Sequence, residues 1–394
     1  MIFTILLFTI FARCEITGVP DKMMLSLVPS NMAKCLDGSP PGFYFYPGTG
    51  SGTTKWMIFH EGGGWCTSIN DCLSRSTTIF GSTKYRPLEV SIYSMDAQFS
   101  TDPSVNMLMY NWNKVFLVYC DGGSFSGNNN TRTLASQGDE LFFRGRQNLI
   151  ALKGAIDFLG MGKKSTTDVV ISGCSAGGLA TYLHLDWWRD NIPKSVKVVG
   201  LPVDGIFLDE SVVGNSVFYD SMNWLSIQMN SSTNEKCMKD NTYKPGKCMF
   251  AEYISKYVST PFFVYNSKYD EYDVGQSKLT INGFGTLFLQ IFRATIMNTA
   301  FYRGSFINSC LQHCSKTTFI IGHLNSTNAF SLFYDGYLDA KVSHFIIEDK
   351  AYPCWECCGY PITFAGFLIL LSFTAFLIVL CVLYCVYHHR RSHH

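Results

Sequence analysis

Asp168-Val169-Val170-Ile171-Ser172-Gly173-Cys174-Ser175-Ala176-Gly177-Gly178 is the stretch from which the rest of the chain can be read. Asp168 to Ile171 is a β-branched run and predicts a buried strand. Gly173-Cys174-Ser175-Ala176-Gly177 fits G-x-S-x-G, the sharp strand-to-helix turn that presents a serine hydroxyl at the end of a sheet. Leu179 to Trp188 predicts a helix, with Leu179, Leu183 and Trp187 about one turn apart. Small residues flank Ser175 because a backbone forced through that turn leaves no room for side chains. Strand, turn and helix in this order make Ser175 the candidate nucleophile. The plainer alternative is a glycine-rich turn carrying an ordinary surface serine.

Moving outward, Lys55 to His60 predicts a strand that runs into Glu61-Gly62-Gly63-Gly64-Trp65-Cys66. Acyl transfer builds negative charge on a carbonyl oxygen, and backbone N–H groups aimed at it lower the barrier. Gly63 and Gly64 are the candidate donors on one side of such an oxyanion hole, and Ala176 on the other. A phosphate cradle is disfavoured because no P-loop lysine follows the glycines. Cys66 and Cys72 are close enough in sequence to staple the turn.

The other elements follow in order. Phe43 to Tyr46, Lys114 to Cys120, Val196 to Val203 and Pro261 to Asn266 predict strands. Phe142 to Gly160 and Gly283 to Thr299 predict helices, and Gly48 to Thr54 reads as a hairpin-like loop. Residues 15–34 show no element. Asn215 to Cys248 reads as a surface insertion closed by Cys237 and Cys248. Strands alternating with helices give an α/β fold with a mostly parallel sheet and helices on both faces, its sites at the carboxyl ends of the strands.

A serine needs a base, and the base needs an acid to fix its tautomer. In this architecture the order is serine, acid, histidine. His184 lies on the helix leaving the turn and points away. His323 and His344 sit beside apolar stretches and read as packed or surface side chains. His313, between Cys310 and Cys314, is the candidate base, and a disulfide there would hold it. Asp270, past the end of a strand, is the candidate acid; Asp273, Asp204 and Asp209 remain open. A zinc cluster of Cys310, His313 and Cys314 is disfavoured, because an oxidising compartment makes disulfides. No metal or cofactor is expected.

The totals fit this reading. The 394 residues can bury a large core, and a net charge of +1 gives no case for a nucleic-acid partner. Of 15 cysteines, Cys14, Cys381 and Cys385 lie in or beside apolar ends, leaving an even twelve in the body. That number points outside the cytosol. Residues 1–14 read as a signal peptide and 15–360 as an extracytosolic esterase domain. Residues 361–387 read as one C-terminal transmembrane helix, and 388–394 as a basic cytoplasmic tail, which makes a single-pass type I membrane protein. A glycolipid-anchor signal is set aside because such tails end apolar. Asn129, Asn230 and Asn325 head glycosylation triplets.

Cys35-Leu36-Asp37-Gly38-Ser39-Pro40, Glu61 to Cys66, Tyr119-Cys120-Asp121-Gly122, Gly173 to Gly178, Asp204 to Asp209 and Asn308 to Cys314 together resemble the pectin acetylesterase and Notum carboxylesterase family. The likeness runs from about residue 30 to about 358. It implies an α/β-hydrolase-like serine esterase with Ser175 as nucleophile, Asp270 as acid and His313 as base, and with Gly63, Gly64 and Ala176 as the oxyanion hole. The apolar span after Cys358 departs from the usual secreted pattern. The expected substrate is an ester-bearing glycan, from which O-acetyl groups are removed. Deacylation of a lipidated protein is the second reading, and a catalytically silent binding protein the third.

Overall fold

The computed structural model describes residues 21–358, apart from 136–137, 299–300, 316–318 and 337–343. The signal peptide, transmembrane helix and tail expected at the two ends lie outside the described residues. Among the described residues, no helix is long and apolar enough to cross a membrane.

The first strands are β1 (Lys22–Leu27), β2 (Gly42–Tyr46), β3 (Lys55–His60), β4 (Glu89–Ser91) and β5 (Asn113–Leu117). A small ribbon, β6 (Thr133–Leu134) with β7 (Glu140–Leu141), precedes β8 (Asp168–Cys174), β9 (Lys197–Val203), β10 (Phe262–Asp270) and β11 (Arg303–Gln312). A second ribbon, β12 (Ile320–Ile321) with β13 (Leu324–Asn325), precedes β14 (His344–Ile347). The main sheet has the order β14-β11-β10-β9-β8-β3-β5-β2-β1-β4. Every pairing from β14 to β5 is parallel, and those of β2, β1 and β4 are antiparallel.

Alternation along the central strands explains the double cover. Val169 and Ile171 of β8 join one apolar cluster, and Val170 joins the other. Ile58 of β3 likewise faces away from Met57 and Phe59. A strand buried on both faces needs apolar residues at successive positions, hence its β-branched run. Helices α1 (Ile69–Ser76), α2 (Gly145–Ile156) and α3 (Ala176–Asp190) follow their strands. From Ala176 to Leu185 α3 is buried without a break. It is therefore a core helix, and the one-turn spacing of Leu179 and Leu183 marks only part of its apolar surface.

Several expectations change. The Gly48–Thr54 loop is no hairpin: it holds a 3₁₀ turn at Gly50–Thr54, and β5 lies between β2 and β3. The predicted Phe142–Gly160 helix starts at Gly145, and its α-helical part ends at Ile156, because Gly160 takes a φ of 144°. The first 20 or so residues of the body hold β1, which lines the antiparallel edge of the sheet. The insertion after Asn215 contains helix α4 (Val217–Gln228) and packs Met222, Leu225 and Met229 into the core.

All twelve body cysteines are paired. Cys66–Cys72 and Cys237–Cys248 join as anticipated. Cys310 and Cys314 do not hold His313 between them. Cys314 bonds Cys174 and Cys310 bonds Cys358, while Cys35–Cys120 and Cys354–Cys357 complete the set.

Candidate active site

Sheet order brings the expected residues together. At the carboxyl ends of β11, β10, β9, β8, β3 and β5 stand, in that order, His313, Asp270, Asp204, Ser175, the glycine turn and Tyr119. Asp270 and His313 follow from the paired strands β10 and β11, and Ser175 stands at the end of β8, two strands beyond β10.

Ser175 sits at the N-cap of α3 with φ 61° and ψ −127°, a positive φ unusual for a non-glycine residue. The position is held on both sides. Its N–H donates to the Val203 carbonyl at 3.1 Å, and its carbonyl accepts from the Leu179 N–H at 2.9 Å. The side chain is nearly enclosed, at 8 % exposure. Gly62 lies directly against it: a Cβ on Gly62 would stand 2.9 Å from the Ser175 Cβ and 2.3 Å from the Cys174 carbonyl oxygen. Only glycine lets the β3 turn close onto the nucleophile turn. Ala176 opens α3, where the first N–H groups have no partner within the helix.

His313 Nδ1 and Asp270 Oδ2 are 2.8 Å apart. Nδ1–H therefore donates to the carboxylate, which leaves Nε2 as the free lone pair. Asp270 is 1 % exposed, and its Oδ1 accepts from the N–H groups of Tyr272 and Asp273. Burial raises the Asp270 carboxyl above its usual range, against the pull of His313. Burial pulls His313 down, but the Asp270 hydrogen bond and the charges of Asp270 and Asp204 outweigh it, and its affinity for a proton rises. Rings of Tyr272 and Phe207 stand 5.5 and 6.3 Å from the imidazole.

The other candidate acids have different partners. Asp204 accepts from the N–H of Ser267 at 3.0 Å and the N–H of Cys314 at 2.8 Å. Burial and the Asp270 charge push it up to about 7. Asp209 accepts from Ser211 and from the Tyr253 hydroxyl. Asp273 is buried, and burial with the Asp270 charge raises it well above the carboxylate range. Among the histidines, His184 is buried, with Nε2 at 2.9 Å from the Ser124 carbonyl. His323 and His344 are exposed.

Asp204, Asp270 and His313 offer ligand atoms within 4.8 Å of one another. Each carboxylate oxygen already faces N–H donors, which suits proton handling better than a cation. The sulfurs of the alternative zinc cluster are taken by disulfides to other cysteines.

Three side chains tie the candidate site together in ways that the sequence did not show. Glu61 makes a two-pronged ion pair with Arg86 and accepts from the Tyr119 N–H at 2.8 Å. The Tyr119 hydroxyl donates to the Gly64 carbonyl at 2.7 Å. Ser124 joins the two halves of the expected oxyanion hole: it accepts from the Trp65 indole N–H at 2.7 Å and donates to the Ala176 carbonyl at 2.8 Å. The sequence signal was the Tyr119-Cys120-Asp121-Gly122 motif, whose purpose shows only in space. Asn230 is exposed, and Asn129 and Asn325 are half-buried.

An α/β sheet with Ser, Asp and His at its carboxyl ends, in that chain order, defines an α/β-hydrolase-like protein. A pectinacetylesterase family model matches residues 18–280, and the chain belongs to that family. It is 34% identical over 375 residues to pectin acetylesterase 5 of Arabidopsis thaliana, covering 86% of this chain and 84% of the relative. It is 26% identical over 323 residues to palmitoleoyl-protein carboxylesterase NOTUM of Mus musculus, covering 76% of this chain and 62% of the relative. The structure of the Wnt deacylase Notum from Drosophila superposes with a TM-score of 0.74 at 21% identity, over 86% of this chain and 99% of the other.

Proposed function

We propose that this chain is a serine carboxylic-ester hydrolase that removes O-acetyl groups from a glycan through an acyl-enzyme. The observation that carries this is the buried Asp270–His313 hydrogen bond, joined through the Cys174–Cys314 disulfide to the residue before Ser175. Ser175 Oγ attacks the ester carbonyl carbon as its proton passes to His313 Nε2. The carbonyl oxygen becomes an oxyanion, met by N–H groups of Ala176 and of the Gly63–Gly64 turn. The C–O bond to the alcohol breaks, and the alcohol leaves with the proton from Nε2. Water, deprotonated by His313, then attacks the acyl-enzyme, and acetate leaves as Ser175 takes back its proton. Asp270 stays ionised and holds the imidazolium.

Family membership supports esterase chemistry, and the relatives named for acetyl esters match at higher identity than those named for palmitoleoyl esters. Lipid removal from a protein is the second reading. It is favoured by a cavity of about 160 Å³ lined by Trp65, Phe218, Met222 and Tyr272, since Tyr272 also flanks His313. We further read 361–387 as the membrane anchor of an extracytosolic domain, 15–360, that follows a signal peptide.

The test is hydrolysis of p-nitrophenyl esters from acetyl to palmitoyl, with Ser175→Ala as control. Turnover highest on acetyl and lost in Ser175→Ala is expected. A preference for octanoyl or longer selects the second reading. Full activity in Ser175→Ala removes the proposed nucleophile, and a folded chain inert on every ester would be a binding protein.

A further inference from the structure

Arg75 lies in the last turn of α1, just beyond the glycine turn, and is half-buried. Among the described residues it forms no ion pair with a carboxylate. Its donors go to main-chain carbonyls instead. Nε donates to Phe80 at 3.2 Å, and Nη2 donates to Gly63 and, at 3.5 Å, to Gly64. The guanidinium lies over the rings of Phe80 and Tyr119, at 5.2 and 5.3 Å. Tyr119 in turn holds the Gly64 carbonyl.

A trans peptide is planar, with its C=O and N–H on opposite sides. The Gly63 carbonyl shares a peptide with the Gly64 N–H, and the Gly64 carbonyl shares one with the Trp65 N–H. Arg75 gripping the Gly63 oxygen from one side turns the Gly64 N–H to the other. The positive φ of Gly63 (+142°) and Gly64 (+69°) gives the chain this path. A cation at a carbonyl oxygen also polarises its peptide and strengthens the N–H as a donor. The Cys66–Cys72 disulfide ties the turn to the helix that carries Arg75.

We propose that Arg75 is the positioning residue of the oxyanion turn. It holds the Gly63 carbonyl, as Tyr119 holds that of Gly64, so that the Gly64 N–H meets the charge developing on the substrate oxygen. The inference rests on the reading of Ser175 as nucleophile.

The test compares the full chain with Arg75→Met, Arg75→Lys and Ser175→Ala. Its readouts are kcat and KM on p-nitrophenyl acetate and inhibition by a trifluoromethyl ketone, which forms a tetrahedral oxyanion on a reactive serine. Arg75→Met is expected to lower kcat by about a hundredfold and to weaken the ketone in parallel. KM should stay within about threefold, the sign of an interaction made in the transition state. Arg75→Lys should recover part of the loss, because it keeps the charge without the fork. An unchanged kcat in Arg75→Met, or a loss carried by KM, overturns the proposal. If Arg75→Met does not fold, Arg75→Lys decides. A lower kcat at constant KM then supports the role, and wild-type kcat or failure to fold overturns it. Ser175→Ala active at the wild-type rate would remove the nucleophile reading itself, a different failure from an active Arg75→Met beside an inert Ser175→Ala.

Discussion

At His313 the imidazole is held between a hydrogen-bonded carboxylate and a second one nearby. Asp270 and Asp204 both favour its charged form, and the net effect lifts it above its ordinary 6.5. The base of the proposed mechanism is the neutral form. The acid limb of kcat/KM should therefore fall above 6.5, with activity rising as pH rises through it. A pH–rate profile on a soluble acetyl ester checks this, and a midpoint at or below 6.5 contradicts it. Asp204→Asn should move the midpoint down, because removing a nearby negative charge makes the imidazolium easier to deprotonate. The same substitution keeps an oxygen to accept from the Cys314 N–H, so the loop retains one of its ties.

Between elements, the Cys174–Cys314 bond joins the end of β8 to the residue after β11 and His313. It links residues 140 apart in the chain. Asp204, at the end of β9, takes the N–H of the same Cys314. The residue after His313 is thus fixed twice, covalently to the residue before Ser175 and by hydrogen bond to the end of β9. The double variant Cys174→Ser/Cys314→Ser should lose roughly 2–4 kcal/mol of stability in a denaturant titration. Its kcat should fall about ten- to a hundredfold with KM little changed, because small displacements of a base are costly. A stable variant with wild-type kcat would show that the sheet alone sets the geometry.

For the whole molecule, the parallel strands put every proposed catalytic group on one end of the sheet, and apolar clusters cover both faces. The antiparallel strands β2, β1 and β4 extend the far edge. Cys358 is tied to Cys310 on β11, three residues before His313. If 361–387 is the anchor, the catalytic end of the sheet is held near the bilayer. The full chain should then stay in the membrane pellet after alkaline carbonate extraction, and a chain ending at 360 should be released. Full-length protein in the carbonate supernatant would refute the anchor.

What the sequence determined by itself was local. The β-branched run from Asp168 to Ile171, the small residues around Ser175 and the turn Glu61 to Gly64 are signals read within a few residues. They follow from backbone sterics and from alternation along a strand buried on both faces. The resemblance carried Asp270 and His313, but residue types alone left Asp204, Asp209 and Asp273 beside Asp270. In the fold their partners differ, because partner choice depends on which strands are neighbours: β10 and β11 pair so that Asp270 stands opposite Gln312, next to His313. Cysteine pairing went the same way. The even count was legible, yet the linkage of Cys314 to Cys174 depends on two strand ends meeting across the sheet. The contacts of Arg75, Tyr119 and Ser124 were not legible locally, since each bonds a carbonyl brought to it only by the fold.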